Sequence, residues 1–337
     1  MVKPSRFQVL YSNRQPTSFP IFFNCNCLAI SIFCVLLGYF GNSLYGSYKC
    51  SEMVFWDENR EETQSSMIEV LGETQRHKAM AFVGVYTGFS SLGRRKALRK
   101  TWMPSDRDGL KRLEETTGLV LRFIIGRSSN SLKNAALAKE IQKYDDFLLL
   151  NVEDNYNNLC LKTIIFFKEA FKLYDCSFYV KMDDDIYLRP DRLSLLLGKK
   201  RSNPRNYIGC MKTGYVVKDP NQKWYDPKFH LLASEYYLYA YGSLYALSSD
   251  IVSRLVTVRN DRFKIFRGLE YAMIGSWMLA MDVEHEHENE LCRTQCTTSS
   301  ISIWGTAMCS GLCHPEQQLI QLHKMDICSN SSTMHDL

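Results

Sequence analysis

FYVKMDDDIYLRP, residues 178–190, joins a short apolar run to three adjacent aspartates. The apolar and aromatic residues at 178–180 predict a strand, and Pro190 predicts a helix start because proline suits the first helical turn. Between them lie Asp183, Asp184 and Asp185, whose like charges repel one another. Since the fold itself has no need of this repulsion, the stretch predicts a strand end that holds a ligand.

The sequence before and after this stretch alternates between strand and helix patterns. Strands are predicted at 80–87, 118–126, 146–152 and 177–182, and helical segments at 93–102, 131–144, 157–174 and 189–200. Such alternation predicts an α/β fold, with a parallel sheet covered by helices on both faces. Because ligands of these sheets bind beyond the carboxyl ends of the strands, the aspartates lie where a ligand is expected.

Carboxylates two residues apart on a turn can converge on one hard divalent cation. Asp183 and Asp185 suit Mg²⁺ or Mn²⁺, whose remaining positions take water and phosphate oxygens. The alternative is a solvated acidic turn, which the strand before it and the helix after it disfavour. A metal–phosphate site leaves glycosyl transfer, phosphoryl transfer and nucleic-acid cleavage open. The chain has no G-x-x-x-x-G-K-[ST] loop and no kinase motif set, which argues against nucleotide hydrolysis.

The composition is that of a globular protein without a nucleic-acid footprint. The 337 residues are 45% hydrophobic and 23% charged, with a net charge of +5. They suffice for one substantial α/β domain or two small ones. No basic run is dense enough to indicate nucleic-acid binding. The basic residues Arg94, Arg95 and Arg99 follow the first strand, where they can meet a diphosphate or an acidic partner group.

Residues 20–40 contain no charged side chain and predict a membrane anchor. As a helix they span about 31 Å, the thickness of a bilayer core. Basic residues precede the segment and acidic residues follow it, so the N-terminus is expected in the cytoplasm. A cleaved signal peptide is the alternative. The predicted divisions are a cytoplasmic tail (1–19), a single transmembrane helix (20–40), a luminal stem (41–78), a catalytic domain (79–328) and a C-terminal tail (329–337).

Nine of the twelve cysteines lie beyond the apolar segment, five of them near the C-terminus. Two C-x3-C pairs, 292/296 and 309/313, could form a zinc site. Disulfides are favoured because the compartment beyond such an anchor is oxidising. Nine is an odd number, so at least one thiol is expected to stay free or to pair between chains.

Several fragments, taken together, resemble a known family. Their order and spacing are similar to the β-1,3-galactosyltransferase domain of glycosyltransferase family 31, in particular to plant members without a galectin domain. The resemblance runs from about His77 to Cys328. The fragments are RRKALRKTW (94–102), LRFIIG (121–126), EDNYNNLCLKT (153–163), FYVKMDDDIYLRPDRL (178–193), AYGSLYALS (240–248) and IGSWMLAMDVEH (274–285).

The resemblance implies a GT-A type, Rossmann-like nucleotide-sugar domain that transfers galactose from UDP-galactose with inversion and requires Mn²⁺. Asp183 and Asp185 are then the metal and diphosphate positions, and Asp184 faces the ribose or the sugar. The donor-binding set also includes Lys181, Arg94, Arg95 and Arg99. A histidine can complete the metal shell in this family. His285 is the candidate here, with His287 and His323 as alternatives.

The family's general base departs from its usual pattern. The family has an acidic pair at a helix start, whereas this sequence reads Glu270-Tyr271. Tyrosine, with an ordinary pKa near 10, is a poor base at neutral pH. Either Glu270 takes over as the base, or the chain is an impaired relative that binds UDP-sugar and acts as a partner or scaffold. A metal-dependent phosphotransferase or nuclease is a third hypothesis, for which EHEHENE, residues 284–290, would supply the second carboxylate cluster.

The implied location is the Golgi membrane, as a single-pass type II protein with its catalytic domain in the lumen. The implied partners are a UDP-sugar donor, a glycan or glycoprotein acceptor and the membrane, with no nucleic acid, and a Golgi oligomer is left open. N-acetylglucosamine and N-acetylgalactosamine remain alternative donor sugars.

Overall fold

A computed structural model describes residues 75–222, 224–258, 269–305 and 309–330. The predicted tail, anchor and stem, with the first four cysteines, lie outside the described residues, and so does most of the C-terminal tail. Within the described ranges, no helix has the length and apolar character needed to cross a membrane. Strand β1 begins at His77, two residues before the predicted start of the catalytic domain.

The described residues form nine strands and nine α-helices. In chain order they are β1 (His77–Tyr86), α1 (Leu92–Arg99), α2 (Arg107–Thr117), β2 (Leu119–Arg127), α3 (Ser131–Tyr144), β3 (Phe147–Glu153), α4 (Leu159–Leu173), β4 (Tyr174–Asp183), β5 (Tyr187–Leu188), α5 (Pro190–Lys200), β6 (Asn206–Tyr215), β7 (Glu235–Ser248), α6 (Ser249–Thr257), α7 (Glu270–Ala280), β8 (Glu284–His287), β9 (Ser302–Ile303), α8 (Pro315–His323) and α9 (Asp326–Ser329).

The alternation of strands and helices is confirmed for the first half of the domain. All four predicted strands are present, and α3 has the predicted bounds. Helix α2 was missed. Its start is capped by Asp106, whose side chain accepts a hydrogen bond from the Gly109 amide, and Gly118 ends it with φ 70°. These are ordinary capping signals.

The prediction of a parallel sheet is confirmed for β1 to β4 but does not hold for the whole sheet. Seven strands form the main sheet in the order β3-β2-β1-β4-β7-β6-β8. Strands β1, β2, β3 and β4 pair in parallel, whereas β7 pairs antiparallel with both β4 and β6. The sheet is therefore mixed. The antiparallel pairs bring residues 242–245 of β7 beside the end of β4, a contact that local periodicity does not encode.

Each face of the sheet carries its own hydrophobic core. One core joins the sheet to α1, α2, α5 and α8, and the other joins it to α4, α6 and α7. Side chains alternate between the faces along a strand. Residues 179, 181 and 183 of β4 therefore project toward α4 and α7, while residues 178, 180 and 182 project toward the opposite core.

Three disulfides form among the described residues, which confirms the prediction of disulfides over zinc. They are Cys210–Cys292, Cys296–Cys328 and Cys309–Cys313. Cys160 and Cys176 are buried and lie outside these pairs. Neither C-x3-C pair belongs to a group of three or more metal-ligating residues in the part of the chain that the structure describes.

Replacing Gly84 with Ala is expected to destabilise the fold. A Cβ at this position in β1 would lie 2.4 Å from Cε2 of Phe166 and 2.9 Å from Cγ1 of Ile124. Phe166 belongs to α4, so this helix would have to move away from the sheet. Overpacking of this kind costs about 1–3 kcal/mol. The free energy of unfolding from denaturant titration measures the loss. Gly198→Ala is the control, because a Cβ there meets nothing within 4 Å. Equal stability of the Gly84 variant and the wild type would contradict the packing described.

Candidate donor and metal site

The three aspartates end β4 at the carboxyl edge of the parallel strands. Tyr86, the last residue of β1, is in register with Asp183. Thr87 follows it, and its Oγ1 donates a hydrogen bond to Oδ2 of Asp184 at 2.7 Å. The predicted position of the aspartates at a strand end is therefore observed, and Thr87 is a supporting residue that the sequence analysis missed.

Two cationic side chains contact the three carboxylates. Nζ of Lys181 donates to Oδ1 of Asp183 at 2.7 Å and also to the Gly242 carbonyl. Nη1 of Arg94 donates to Oδ1 of Asp184 at 2.8 Å and reaches Oδ2 of Asp185 at 3.4 Å. Lys181 is 2% exposed. Lys181 is thus placed as a buried support for Asp183, whereas Arg94 keeps an exposed portion.

Asp185 has an unusual environment. Its Oδ1 is buried and has no hydrogen-bond partner among the described residues. Burial, together with the charges of Asp183 and Asp184, raises the pKa of Asp185 to about 7 despite the opposing effect of Arg94. Burial and the charge of Asp184 also raise the pKa of Asp183 above its ordinary value, against the lowering effect of Lys181. The charged form of both carboxylates is therefore disfavoured by their surroundings, and additional positive charge would favour it.

A divalent cation with oxygen ligands fits this arrangement. The donor set is two carboxylates, one with a lone, buried oxygen, and a hard cation accepts such ligands while leaving positions for phosphate oxygens and water. The rest of a coordination shell would have to come from the ligand, because the described residues contain no group of three or more His, Cys, Asp or Glu side chains that could hold a metal.

The predicted histidine does not join the aspartates. His285 lies in β8, three strands away from β4 in the sheet. It is in register with Tyr207 of β6. Across β7, that position is in register with Tyr179 of β4. Because neighbouring strands lie about 4.8 Å apart, the His285 backbone is about 14 Å from β4. It is also level with Tyr179, four residues before Asp183. Its Nδ1 faces the Val283 carbonyl at 2.8 Å. The assignment of His285 as a metal ligand is therefore corrected.

The alternative histidines are also engaged elsewhere. Nδ1 of His287 accepts from the Met211 amide at 2.9 Å, and Nδ1 of His323 lies 3.0 Å from the Tyr187 hydroxyl. The acidic run at 284–290 forms no second metal cluster in the described structure. Glu286 instead pairs with Lys200, and Glu290 pairs with Arg293.

Two of the three predicted donor-binding arginines belong to a buried ion network. Nε and Nη2 of Arg95 donate to Glu140 at 3.0 and 2.7 Å. Arg99 donates to Asp146 at 2.7 and 2.9 Å and to Glu140 at 2.6 Å. Although burial favours the neutral acid, the two arginines hold the pKa of Glu140 below its ordinary value. Arg95 and Arg99 therefore bind acidic partners within the fold. Of the three arginines only Arg94 contacts the aspartates directly, while Nη1 of Arg95 donates to Oγ1 of Thr87 at 3.1 Å.

Lys162 was not singled out by the sequence analysis, although it lies in the quoted fragment 153–163. Its Nζ donates to the Thr87 carbonyl at 2.9 Å and to both carboxylate oxygens of Asp154 at 3.2 and 3.0 Å. Asp154 in turn accepts from the Gly126 amide at 2.8 Å. One buried lysine thus ties together the carboxyl ends of β1 and β2 and the loop after β3. A basic residue on the otherwise apolar face of α4 was the available signal.

Glu270 is enclosed at the start of α7. Its Oε1 accepts from the Tyr245 hydroxyl at 2.6 Å and from Oγ1 of Thr163 at 3.3 Å, and the residue is 1% exposed. Burial raises the pKa of Glu270, against the effect of Lys181. This carboxylate joins β7, α4 and α7, so the enclosure does not support the prediction that Glu270 acts as a base on an acceptor.

Tyr271 occupies the position of the second acid. Its ring stacks on Tyr239 with the centroids 5.1 Å apart, and a Cβ at Gly242 would lie 3.3 Å from its Cδ1. Burial raises the pKa of the Tyr271 phenol above its ordinary value. The phenol is therefore protonated at neutral pH. Because Gly242 also supports Lys181, Tyr271 is adjacent to the residues that hold Asp183.

Comparisons with known proteins identify relatives of the chain. The family model described as Galactosyltransferase matches residues 93–289. Probable beta-1,3-galactosyltransferase 13 of Arabidopsis thaliana is 54% identical over 265 residues, which are 79% of this chain and 77% of that protein. Probable beta-1,3-galactosyltransferase 12 of the same plant is 52% identical over 260 residues, which are 77% of this chain and 70% of that protein.

Among solved structures, the crystal structure of galactosyltransferase LgtC in complex with donor and acceptor sugar analogues is similar over 77% of this chain and 100% of that chain. The identity is 9% and the TM-score 0.39, too low a value to support an inference.

Arginine substitutions are expected to separate the arginine that stabilises the fold, Arg99, from the arginine that contacts the aspartates, Arg94. Arg99→Met leaves Glu140 and Asp146 with too little positive charge in a buried setting, and such a loss costs roughly 3–5 kcal/mol. Arg94→Met removes an ion pair whose arginine is partly exposed and leaves Asp184 its hydrogen bond from Thr87, so a smaller loss is expected. Denaturant unfolding of both variants measures the difference. Arg107→Ala, which breaks an exposed pair with Asp145, is the control. A larger loss in the Arg94 variant than in the Arg99 variant would contradict this assignment.

Proposed function

The chain belongs to the galactosyltransferase family, as its resemblance to glycosyltransferase family 31 predicts, and on that premise we propose that it transfers galactose from UDP-galactose to a glycan acceptor. The linkage formed is β-1,3 and the anomeric centre is inverted. The two Arabidopsis relatives named as probable beta-1,3-galactosyltransferases support the linkage and the sugar. On this proposal the mixed α/β sheet is a GT-A type nucleotide-sugar domain.

The observation that assigns this proposal to a site is Oδ1 of Asp185, which is buried and has no hydrogen-bond partner in the part of the chain that the structure describes. A carboxylate oxygen without a hydrogen bond, beside a second carboxylate, fits a cation that is brought in with a diphosphate. Asp183 and Asp185 would hold Mn²⁺. When bound, the ion would supply positive charge to the leaving diphosphate.

The chain's own residues would orient the donor around these carboxylates. Lys181 fixes Asp183, and Thr87 with Arg94 fixes Asp184. The Arg94 side chain is 37% exposed, so its remaining donors can reach an incoming phosphate. The buried partners leave the carboxylates little freedom to rotate, which is the pre-organisation that a transfer reaction needs.

A catalytically impaired UDP-sugar-binding protein is the second candidate, and the state of Tyr271 favours it. The phenol is protonated at neutral pH, and the neighbouring carboxylate of Glu270 is enclosed by Tyr245 and Thr163. A protonated phenol cannot take the proton from an acceptor hydroxyl, and the burial of Glu270 disfavours its carboxylate for that role. On this alternative the donor is held and the chain acts as a partner or scaffold.

The location is part of the proposal. A Golgi type II membrane protein would have its anchor at 20–40, its stem at 41–78 and its catalytic domain, 79–328, in the lumen. The three disulfides support an oxidising compartment, since disulfides are rare where thiols are kept reduced. A glycan or glycoprotein acceptor and assembly with other Golgi proteins belong to the same proposal.

Asp185→Asn is expected to abolish donor use. The substitution removes one charged ligand while keeping its size, so transfer should fall by at least about 10²-fold, the scale on which single electrostatic groups act. The measurement is galactose transfer from UDP-galactose to an arabinogalactan-type acceptor with Mn²⁺, and UDP-N-acetylglucosamine and UDP-N-acetylgalactosamine are compared as donors. Asp250→Asn is the control, because Asp250 pairs with Arg254 on α6. Full activity of the Asp185 variant would refute the assigned site.

Tyr271→Asp distinguishes the two candidates. A carboxylate at this position restores a group that can accept a proton, and general bases contribute about 10²- to 10⁴-fold to rates. We expect at least a tenfold rise in kcat, on the low side of that range, with little change in the affinity for UDP. Tyr271→Phe is the control and should leave kcat unchanged.

The wild type decides between active and impaired protein. Measurable wild-type turnover supports the transferase. Binding of UDP without turnover, with turnover gained in Tyr271→Asp, supports the impaired protein. Loss of turnover in Tyr271→Phe would show instead that the phenol itself takes part.

A further inference from the structure

A small disulfide-closed loop lies directly against Asp185. The loop is CSGLC, residues 309–313, and the Cys309–Cys313 disulfide joins its two ends, four positions apart. The amide of Leu312 donates to the main-chain carbonyl of Asp185 at 2.9 Å. The loop is far from the aspartates in sequence, and the spacing of its cysteines indicated only a disulfide or a zinc site.

Gly311 packs its main chain against the Asp185 carboxylate. A Cβ at Gly311 would lie 2.2 Å from Cγ and 2.3 and 2.5 Å from the two carboxylate oxygens. No side chain fits there unless the carboxylate moves. The contact is van der Waals packing, and Oδ1 of Asp185 accepts no hydrogen bond from the described residues. The loop therefore confines a carboxylate whose Oδ1 has no hydrogen-bond partner among the described residues.

The same loop reaches the support of the first aspartate. Oγ of Ser243 donates to the Ser310 carbonyl. Ser243 follows Gly242, whose carbonyl accepts from Lys181, and Lys181 donates to Asp183. A five-residue loop thus contacts Asp185 directly and is linked to Asp183 through two neighbouring residues of β7.

The chain after the loop is anchored next to Arg94. Helix α8 begins at Pro315, and a Cβ at Gly93 would lie 1.9 Å from Oε1 of Glu316. Helix α8 packs on α1 by this close approach. The segment after the loop is therefore fixed to α1, the helix that carries Arg94. The disulfide limits the conformational freedom of the three residues between Cys309 and Cys313.

We propose that the disulfide-closed loop 309–313 is a positioning element for the donor site, which holds the Asp185 carboxylate in the orientation that binds a divalent cation together with a diphosphate. This proposal rests on the proposed function. Gly311 acts through Asp185 and touches no substrate. Without the disulfide or the glycine, Asp185 can rotate away, and the cation–diphosphate complex binds less tightly.

Two sets of variants test the loop. Cys309→Ser with Cys313→Ser opens it, and Gly311→Ala pushes on the carboxylate. Binding of UDP to the full-length protein is measured by calorimetry with Mn²⁺ and again in EDTA. The Kd with Mn²⁺ is expected to rise by about 10- to 100-fold, as it does when groups that orient a metal ligand are lost. The Kd in EDTA should stay at the wild-type value, because the loop acts through a metal ligand.

Controls separate positioning from general stability. Gly198→Ala makes the same glycine-to-alanine change where a Cβ meets open space. Cys296→Ser with Cys328→Ser removes a disulfide outside the loop. Both should keep the Mn²⁺-dependent Kd of the wild type. The Tm of each protein without ligand shows whether a variant is folded, and Gly311→Ala keeps all three disulfides if the serine variant folds poorly.

A double-mutant cycle with Asp185→Asn gives the sharpest test. If the loop acts only through Asp185, Gly311→Ala adds no further loss of Mn²⁺-dependent binding in the Asp185→Asn background. Wild-type affinity in both loop variants, or full additivity in the cycle, would overturn the positioning role while leaving the proposed function intact. Failure of the wild type to bind UDP with Mn²⁺ would overturn the proposed function and the positioning role together.

Discussion

The repulsion among three adjacent carboxylates at the end of β4 is the constraint on which the site depends. It is tolerated because each carboxylate has at least one partner that offsets its charge or holds it in place. Asp183 has Lys181. Asp184 has Thr87 and Arg94, and Asp185 has Arg94 and the loop 309–313. These partners come from the residue after β1, from α1, from β4 and from the C-terminal region, so these parts of the fold must assemble before the aspartates can be held together.

The charges around the site are divided between binding and stability. Arg95 and Arg99 lie on the same short helix as Arg94, yet they point into a buried network with Glu140 and Asp146. A helix that presented all three arginines to one ligand would leave two buried acids without partners, at a high cost in free energy. The result is a single partly exposed arginine beside the aspartates, supported by two that stabilise the fold.

The start of α7 combines a buried acid that holds the fold together, Glu270, with a tyrosine that keeps its proton, Tyr271. Glu270 is buried, and its Oε1 accepts hydrogen bonds from Tyr245 and Thr163. Tyr271 stacks on Tyr239 and keeps its proton. The proposed site therefore has the groups needed to bind the donor but no ionised group beside the acceptor at Tyr271. The carboxylates for the donor are held in place, whereas the group that would activate the acceptor is a neutral phenol.

The sequence by itself determined the alternation of strands and helices, the position of the aspartates at a strand end and the family, because these follow from local periodicity and from the order of short fragments. The tertiary structure decided which arginine reaches the aspartates, that β7 runs antiparallel beside β4, and that Glu270 is enclosed. The tertiary structure also decided that the loop 309–313 packs against Asp185. Each of these facts is a pairing between residues far apart in the chain, and such pairings are set by packing and charge in the assembled sheet, which no local pattern contains.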